Sequence, residues 1–130
     1  MLVVDASFVI QASLTPDGLN RLSAHHAVAP ALLWSEATSV LHEFLWRRSI
    51  SAELADAELR RLRQARIRVR QPARLYAAAW GVSERLGWAK TYAAEYVALA
   101  QFLDCPLLTT DARLARTAAR EVTIFDPADL

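Results

Sequence analysis

The sequence predicts an α/β fold in which a central parallel sheet of four to five strands lies between two layers of helices, in one domain of residues 1–130. Short apolar runs alternate along the chain with segments whose apolar residues repeat at helical spacing. The first run, Met1 to Val4, contains no polar residue, as expected of a strand that is buried on both faces. With 130 residues, 54% of them hydrophobic, the chain is long enough to bury one core but not two.

The predicted strands are short, and each is bounded by polar or turn-forming residues. The opening run ends at Asp5, and Pro30 closes the second run, residues 27–29. Residues 67–70 alternate apolar residues with arginines, which indicates an exposed or edge strand. Two more apolar runs, residues 106–109 and 122–125, complete the set. Because helical segments separate these strands, the sheet is expected to be parallel, with helices on both faces.

The predicted helices occupy the segments between the strands. The clearest is residues 31–48, where apolar residues at helical spacing define one face. Ser51, with Glu53 in the first turn, marks the start of a helix of residues 51–65, and Gly87 ends a helix of residues 73–86. Residues 16–25 form either a turn or another helix. The other predicted helices cover residues 6–14, 92–103 and 112–119.

Composition narrows the class of protein without identifying a function. The formal net charge is +1, which by itself does not indicate a nucleic-acid partner. Cys105 is the only cysteine, so no intrachain disulfide is expected and an intracellular, cytoplasmic protein fits best. No apolar stretch of about 18 residues occurs, so no membrane anchor is expected.

Arginines are concentrated in one part of the chain, where seven of them lie between residues 60 and 74. The ordinary interpretation is a solvated helix face that continues into an edge strand. The alternative is a surface that binds RNA, with Arg66, Arg68 and Arg70 as the candidate contact residues.

Two acidic residues follow predicted strands. Asp5 comes directly after the first strand, and Asp111 lies just beyond Thr109 at the end of the fourth. Ligands of open parallel sheets bind at the carboxyl ends of the strands, so the two carboxylates are candidates for one site. Each also precedes a predicted helix, and an N-cap role is the simpler explanation for either residue alone.

Glu36 lies beside the apolar face of the helix of residues 31–48, about 40° from Val40 at roughly 100° per residue. A carboxylate in this position needs a partner, because burying it unpaired costs several kcal/mol. A salt bridge to an arginine is the first expectation, and a cation shared with other carboxylates is the alternative.

Four segments together resemble the motifs of PIN domains, in the same order and at similar spacing. They are MLVVDAS at residues 1–7, PALLWSE at 30–36, YAAEYVALA at 92–100 and LTTDARL at 108–114. The resemblance spans nearly the whole chain, and the type of PIN domain that the chain resembles is the VapC toxin. It implies an endoribonuclease that depends on Mg²⁺ or Mn²⁺, forms a homodimer and is inhibited by a VapB-type antitoxin. Asp5, Glu36 and Asp111 would then be metal ligands, supported by the hydroxyls of Ser7 and Thr109.

The third motif departs from the family pattern, which reads Tyr-Asp-Ala-x-Tyr. Ala93 occupies the position of the third acidic residue, so one expected carboxylate of the catalytic site is missing. The change is either natural or introduced to disarm a toxin, and in both cases it is expected to impair cleavage. Glu95 lies about 200° further round the helix, so it is interpreted as an exposed charge or an ion-pair partner, not as a replacement. A catalytically silent PIN fold that binds antitoxin or RNA is the competing function.

Overall fold

The structure, a computed structural model, describes all residues from Met1 to Leu130. Its sheet has five short strands, and every neighbouring pair is parallel, in the order β3-β2-β1-β4-β5. This confirms the predicted parallel sheet. The strands are Leu2–Val4 (β1), Ala27–Ala29 (β2), Arg68–Val69 (β3), Leu107–Leu108 (β4) and Ile124–Phe125 (β5).

Six α-helices connect or follow the strands, close to the predicted bounds. The open prediction for residues 16–25 resolves into a 3-10 helix at Gly18–Ala24, and a second 3-10 turn covers Pro127–Asp129. None of the helices combines the length and apolar character that are needed to cross a membrane. The helices are Ala6–Ser13 (α1), Leu32–Trp46 (α2), Ala52–Gln64 (α3), Leu75–Leu86 (α4), Tyr92–Leu103 (α5) and Ala112–Ala118 (α6).

Helices cover both faces of the sheet. All three residues of the central strand β1 are buried, and since successive side chains of a strand point to opposite faces, both faces of the sheet are covered at its centre, whereas the edge strand β3 is exposed. Helix α1 packs with α2 and α3, whereas α4 packs with α5, and α5 lies on β1 and β4. The predicted three-layer arrangement is therefore confirmed.

The centre of the sheet brings two chain segments together at one edge. Strands β1 and β4 are neighbours, with Val4 opposite Leu108. The backbone N–H of Asp5 donates to the carbonyl of Leu108 at 3.1 Å, which extends the pairing by one residue. Asp5 and Thr109 consequently leave the sheet side by side.

Candidate active site

Asp5 lies at the carboxyl end of β1 and is only 4% exposed. Its carboxylate accepts hydrogen bonds from the Thr109 hydroxyl at 2.6 Å, the Ser7 hydroxyl at 2.8 Å and the backbone N–H of Phe8 at 3.0 Å. The bond from Phe8 is the N-cap interaction of α1. Asp5 thus caps helix α1, in agreement with the simpler explanation, and is also hydrogen-bonded to Thr109, which follows β4.

All the polar groups that contact the Asp5 carboxylate are neutral donors. Burial raises the pKa of Asp5, the hydrogen bonds from Thr109, Phe8 and Ser7 lower it, and the charge of Asp111 raises it further. The net direction is upward because the donors do not offset the loss of solvation. The buried carboxylate therefore lacks a neutralising cation among the protein's own side chains.

Asp111 is exposed and caps helix α6. One of its carboxylate oxygens accepts from the backbone N–H groups of Arg113 at 2.9 Å and Leu114 at 3.1 Å. Its own N–H donates to the Thr109 hydroxyl at 3.0 Å, and the Thr109 and Ser7 hydroxyls lie 3.1 Å apart. Ser7 and Thr109 therefore link the two aspartates by hydrogen bonds.

Glu36 reaches the same region from α2 and is half-buried. It accepts a hydrogen bond from the Tyr96 hydroxyl at 3.2 Å, whereas the only two ion pairs of the chain are Arg47–Glu43 and Arg85–Glu121. The expected salt bridge to an arginine is therefore wrong. Burial is the main cause that raises the pKa of Glu36; the bond from Tyr96 lowers it, and the charges of Asp5 and Glu95 raise it.

Glu95 contradicts the expectation of an exposed or ion-paired charge. It is only 7% exposed and makes no ion pair. The side chains of Glu95 and Ala93 point in different directions, as the helical spacing predicted. However, every residue of α5 from Ala94 to Ala100 is buried, so the side of the helix that carries Glu95 is covered as well. Burial raises the pKa of Glu95.

A cleft of about 580 Å³ unites the predicted carboxylates. Asp5, Glu36 and Asp111 all line it, together with Ser7 and Ala93. An acidic side chain at position 93 would therefore start from the wall of this cleft, which is the place that the family pattern requires. The remaining lining residues, which sequence reasoning did not assign to the site, are Gly87, Trp88, Ala89, Lys90, Tyr92, Tyr96, Arg113, Leu114 and Thr117.

The donor chemistry of the cleft matches a hard divalent cation, although its carboxylates are not gathered into a ready-made cage. No group of three or more Asp, Glu, His or Cys side chains is positioned to hold one ion. Mg²⁺ commonly takes one or two protein carboxylates and completes its shell with water. Asp5, Glu36 and Asp111 supply carboxylate oxygens of this kind to the cleft.

The arginines predicted to contact RNA lie elsewhere. Arg66, Arg68 and Arg70 line a separate recess of about 230 Å³ together with Met1 and His26. None of the three lines the acidic cleft, although Arg70 directly follows β3, as Asp5 follows β1, in the same parallel sheet. The structure does not bring these arginines into the cleft.

Comparison with known proteins assigns the fold to a family. The PIN domain model matches residues 2–120. The chain is 32% identical over 126 residues to VapC ribonuclease Mb0985 of Mycobacterium bovis and to ribonuclease VapC9 of Mycobacterium tuberculosis, with 95% of this chain and 96% of each relative covered.

Solved structures agree in fold. PAE2754 from Pyrobaculum aerophilum has a TM-score of 0.70 at 20% identity, over 89% of this chain and 83% of that chain. FitAcB from Neisseria gonorrhoeae has a TM-score of 0.63 at 19% identity, over the full length of both chains. FitAB bound to an IR36 DNA fragment has a TM-score of 0.65 at 17% identity, over 100% of this chain and 97% of that one. From its sequence motifs, its fold and these relatives, the chain belongs to the PIN-domain family and, within it, to the VapC type.

Proposed function

We propose that this chain is the toxin of a toxin–antitoxin pair and acts as an endoribonuclease that depends on Mg²⁺ or Mn²⁺. The observation that carries the proposal is that Asp5, Glu36 and Asp111 line one cleft and that none of them is paired with a lysine or arginine. Unneutralised carboxylates at the carboxyl ends of parallel strands are a suitable environment for a divalent ion. The ribonuclease names of the relatives supply the substrate class.

Asp5 and Glu36 are the carboxylates that hydrogen bonds orient toward such an ion. Asp5 is fixed by Ser7, Thr109 and the start of α1, and Glu36 is fixed by Tyr96, so both carboxylates keep their directions without a bound ion. When bound, a divalent ion would supply an activated water and would stabilise the negative charge that develops on the scissile phosphate. The protein contributes the oriented carboxylates and a cleft large enough for a nucleotide.

Ala93 is proposed to limit this activity. It lines the cleft but offers no oxygen, so an ion there depends on fewer protein ligands than the family pattern provides. Binding is expected to weaken without being lost, because water completes the shell of Mg²⁺ readily. The chain should therefore cleave RNA slowly.

The partners follow from the VapC type. We assign the chain a VapB-type antitoxin as inhibitor, RNA as substrate and a second copy of itself as partner in a homodimer, and we place it in the cytoplasm, where RNA is found. Size-exclusion chromatography with light scattering tests the dimer, and co-purification with the product of a neighbouring antitoxin gene tests the inhibitor.

Cleavage of an end-labelled RNA with Mg²⁺, with Mn²⁺ and with a chelator tests the activity. Cleavage should require the divalent ion and should be lost in Asp5→Asn and Asp111→Asn. Asp56→Asn is the matched control, because Asp56 is an exposed acid on α3 that does not line the cleft. Equal cleavage with chelator, or equal activity of Asp5→Asn and the parent chain, would contradict the proposal.

The competing function is a silent PIN fold that binds RNA or antitoxin. Ala93, together with the lack of three clustered ligands, favours this candidate. RNA binding that weakens with salt, without cleavage at any divalent-ion concentration, would support it.

A further inference from the structure

The wall of the cleft beside the carboxylates is built by the connection between α4 and α5. Gly87, Trp88, Ala89 and Lys90 from this connection line the cleft, as does Tyr92, the first residue of α5. The segment therefore supplies aromatic and cationic side chains to the space that holds Asp5, Glu36 and Asp111.

This connection is fastened to the end of α4. Gly87 has a φ of 71°, a left-handed conformation that glycine adopts without strain and that ends the helix. The N–H of Trp88 donates to the carbonyl of Ser83 at 2.9 Å, and the Ser83 hydroxyl donates to the carbonyl of Lys90 at 3.1 Å. The backbone of the connection is thus held in place before any ligand binds.

Two aromatic side chains in this wall differ in how they are held. Trp88 is partly buried and packs against the hydrophobic core. Tyr92 is 58% exposed, and its hydroxyl makes no hydrogen bond within the chain. An unpaired nucleotide base can stack on an exposed aromatic ring whose backbone is fixed by the fold.

Exposure alone does not single out Tyr92, because Tyr76 on α4 is 70% exposed. Tyr76 does not line the cleft, whereas Tyr92 shares it with the three carboxylates. Two cations, Lys90 and Arg113, also line the cleft, and neither forms an ion pair. Their side chains are free to contact the phosphates on either side of the scissile phosphate.

We propose that Tyr92 stacks on an unpaired base of the RNA, and that Lys90 and Arg113 hold the flanking phosphates. This deepens the proposed ribonuclease function and depends on it. The bases of a duplex are paired and stacked on one another, so they cannot present a face to Tyr92 unless the duplex opens.

Binding without cleavage tests the proposal. Fluorescence anisotropy in the presence of a chelator measures the affinity of the full chain for a labelled single-stranded RNA oligonucleotide and for the same sequence as a duplex. Tyr92→Ala should weaken single-strand binding by about 5- to 150-fold, the usual range for the loss of one stacked base. Tyr92→Phe keeps the ring and should bind like the parent chain, and Tyr76→Ala is the exposed-tyrosine control.

The outcomes separate this inference from the proposed function. Single-strand binding that is unchanged in Tyr92→Ala overturns the stacking role, even if the chain cleaves RNA in the presence of Mg²⁺. Equal affinity for single strand and duplex, or no RNA binding by the parent chain, overturns the stacking role, whereas the ribonuclease function is decided separately by cleavage with Mg²⁺ or Mn²⁺. Lys90→Ala should lower the slope of log affinity against log salt by about 1 if Lys90 contacts one phosphate, and an unchanged slope removes it from the interface. Thermal unfolding of each variant confirms that it is folded.

Discussion

Replacing Asp5 with asparagine removes one negative charge from the cleft and leaves the side chain almost unchanged in size. The asparagine oxygen can still accept the N-cap hydrogen bond from Phe8, and the amide NH2 in place of the second oxygen can donate to the Thr109 hydroxyl, which reverses the direction of that bond. The substitution to alanine removes both acceptors. The pair of variants therefore separates the structural role of Asp5 from its charge.

The expected stabilities follow from the contacts. Asp5→Ala loses the cap, about 1 kcal/mol, and the acceptor for two hydroxyls, about 0.5–1.5 kcal/mol for each bond. Part of the second loss is recovered because the Ser7 and Thr109 hydroxyls already lie 3.1 Å apart and can bond to each other. A net destabilisation of about 2–3 kcal/mol is expected, which lowers the melting temperature by roughly 10 °C.

Asp5→Asn should be within about 1 kcal/mol of the parent chain, on the stable side at neutral pH, because it removes a buried charge that no cation neutralises. Urea unfolding in chelator measures both values. Mg²⁺ should raise the melting temperature of the parent chain and should have no such effect on either variant. The reasoning would be refuted if Asp5→Asn lowered the free energy of unfolding as much as Asp5→Ala, or if Mg²⁺ still raised the melting temperature of Asp5→Asn.

Three further predictions concern the buried acids around the cleft and on α3. The pKa values of Asp5, Glu36, Glu58 and Glu95 are all raised, chiefly by burial, so the folded state binds their protons more tightly than the unfolded state does. The metal-free chain should therefore gain stability as pH falls through these raised pKa values toward 4.5, the ordinary glutamate value, and lose it as pH rises through them; urea unfolding that shows the opposite slope would contradict this. Glu95→Gln should raise the melting temperature in chelator by a few degrees and flatten this pH dependence, whereas the exposed control Glu53→Gln should change stability by less than about 0.5 kcal/mol; a loss of stability in Glu95→Gln would mean that its charge has a partner. Tyr96→Phe removes the hydrogen bond that lowers the pKa of Glu36, so the acidic limb of the cleavage pH profile should move to higher pH in the Ala93→Asp background; an unmoved limb would show that Glu36 is not the group that titrates there.

The fold and the main carboxylates were predictable because local patterns determine them. Short apolar runs between helical segments define a parallel sheet, and a parallel sheet brings the ends of neighbouring strands to one edge. Asp5 and Asp111 could be paired by this rule alone. The position of Glu36 beside an apolar helix face indicated that it needs a partner but favoured an arginine; its assignment to the acidic site came from the resemblance to PIN domains, and its hydrogen-bond partner, Tyr96, was not predicted.

Features that depend on tertiary packing were not predictable. A helical wheel gives the direction of Glu95 relative to Ala93, but it does not say what covers each side of α5, and here nearly all sides are covered. The concentration of Arg66, Arg68 and Arg70 in sequence likewise does not show that they line a recess separate from the acidic cleft.

The cleft wall of residues 87–92 carries no periodic pattern. Its position depends on the left-handed Gly87 and on the hydrogen bond from Ser83 to Lys90, which are properties of the folded connection. Tyr92 and Lys90 could therefore be assigned to the cleft only from the structure.

Cleavage of RNA by the Ala93→Asp variant tests most directly the claim that this cleft is a metal-dependent ribonuclease site with one carboxylate missing. The rate with Mg²⁺ or Mn²⁺ should rise by about 10- to 100-fold over the parent chain, the usual effect of one group that supports a metal site. Ala93→Asn, which matches the size without the charge, should not reproduce the increase. Rates that are equal for alanine, asparagine and aspartate at position 93 would contradict the account.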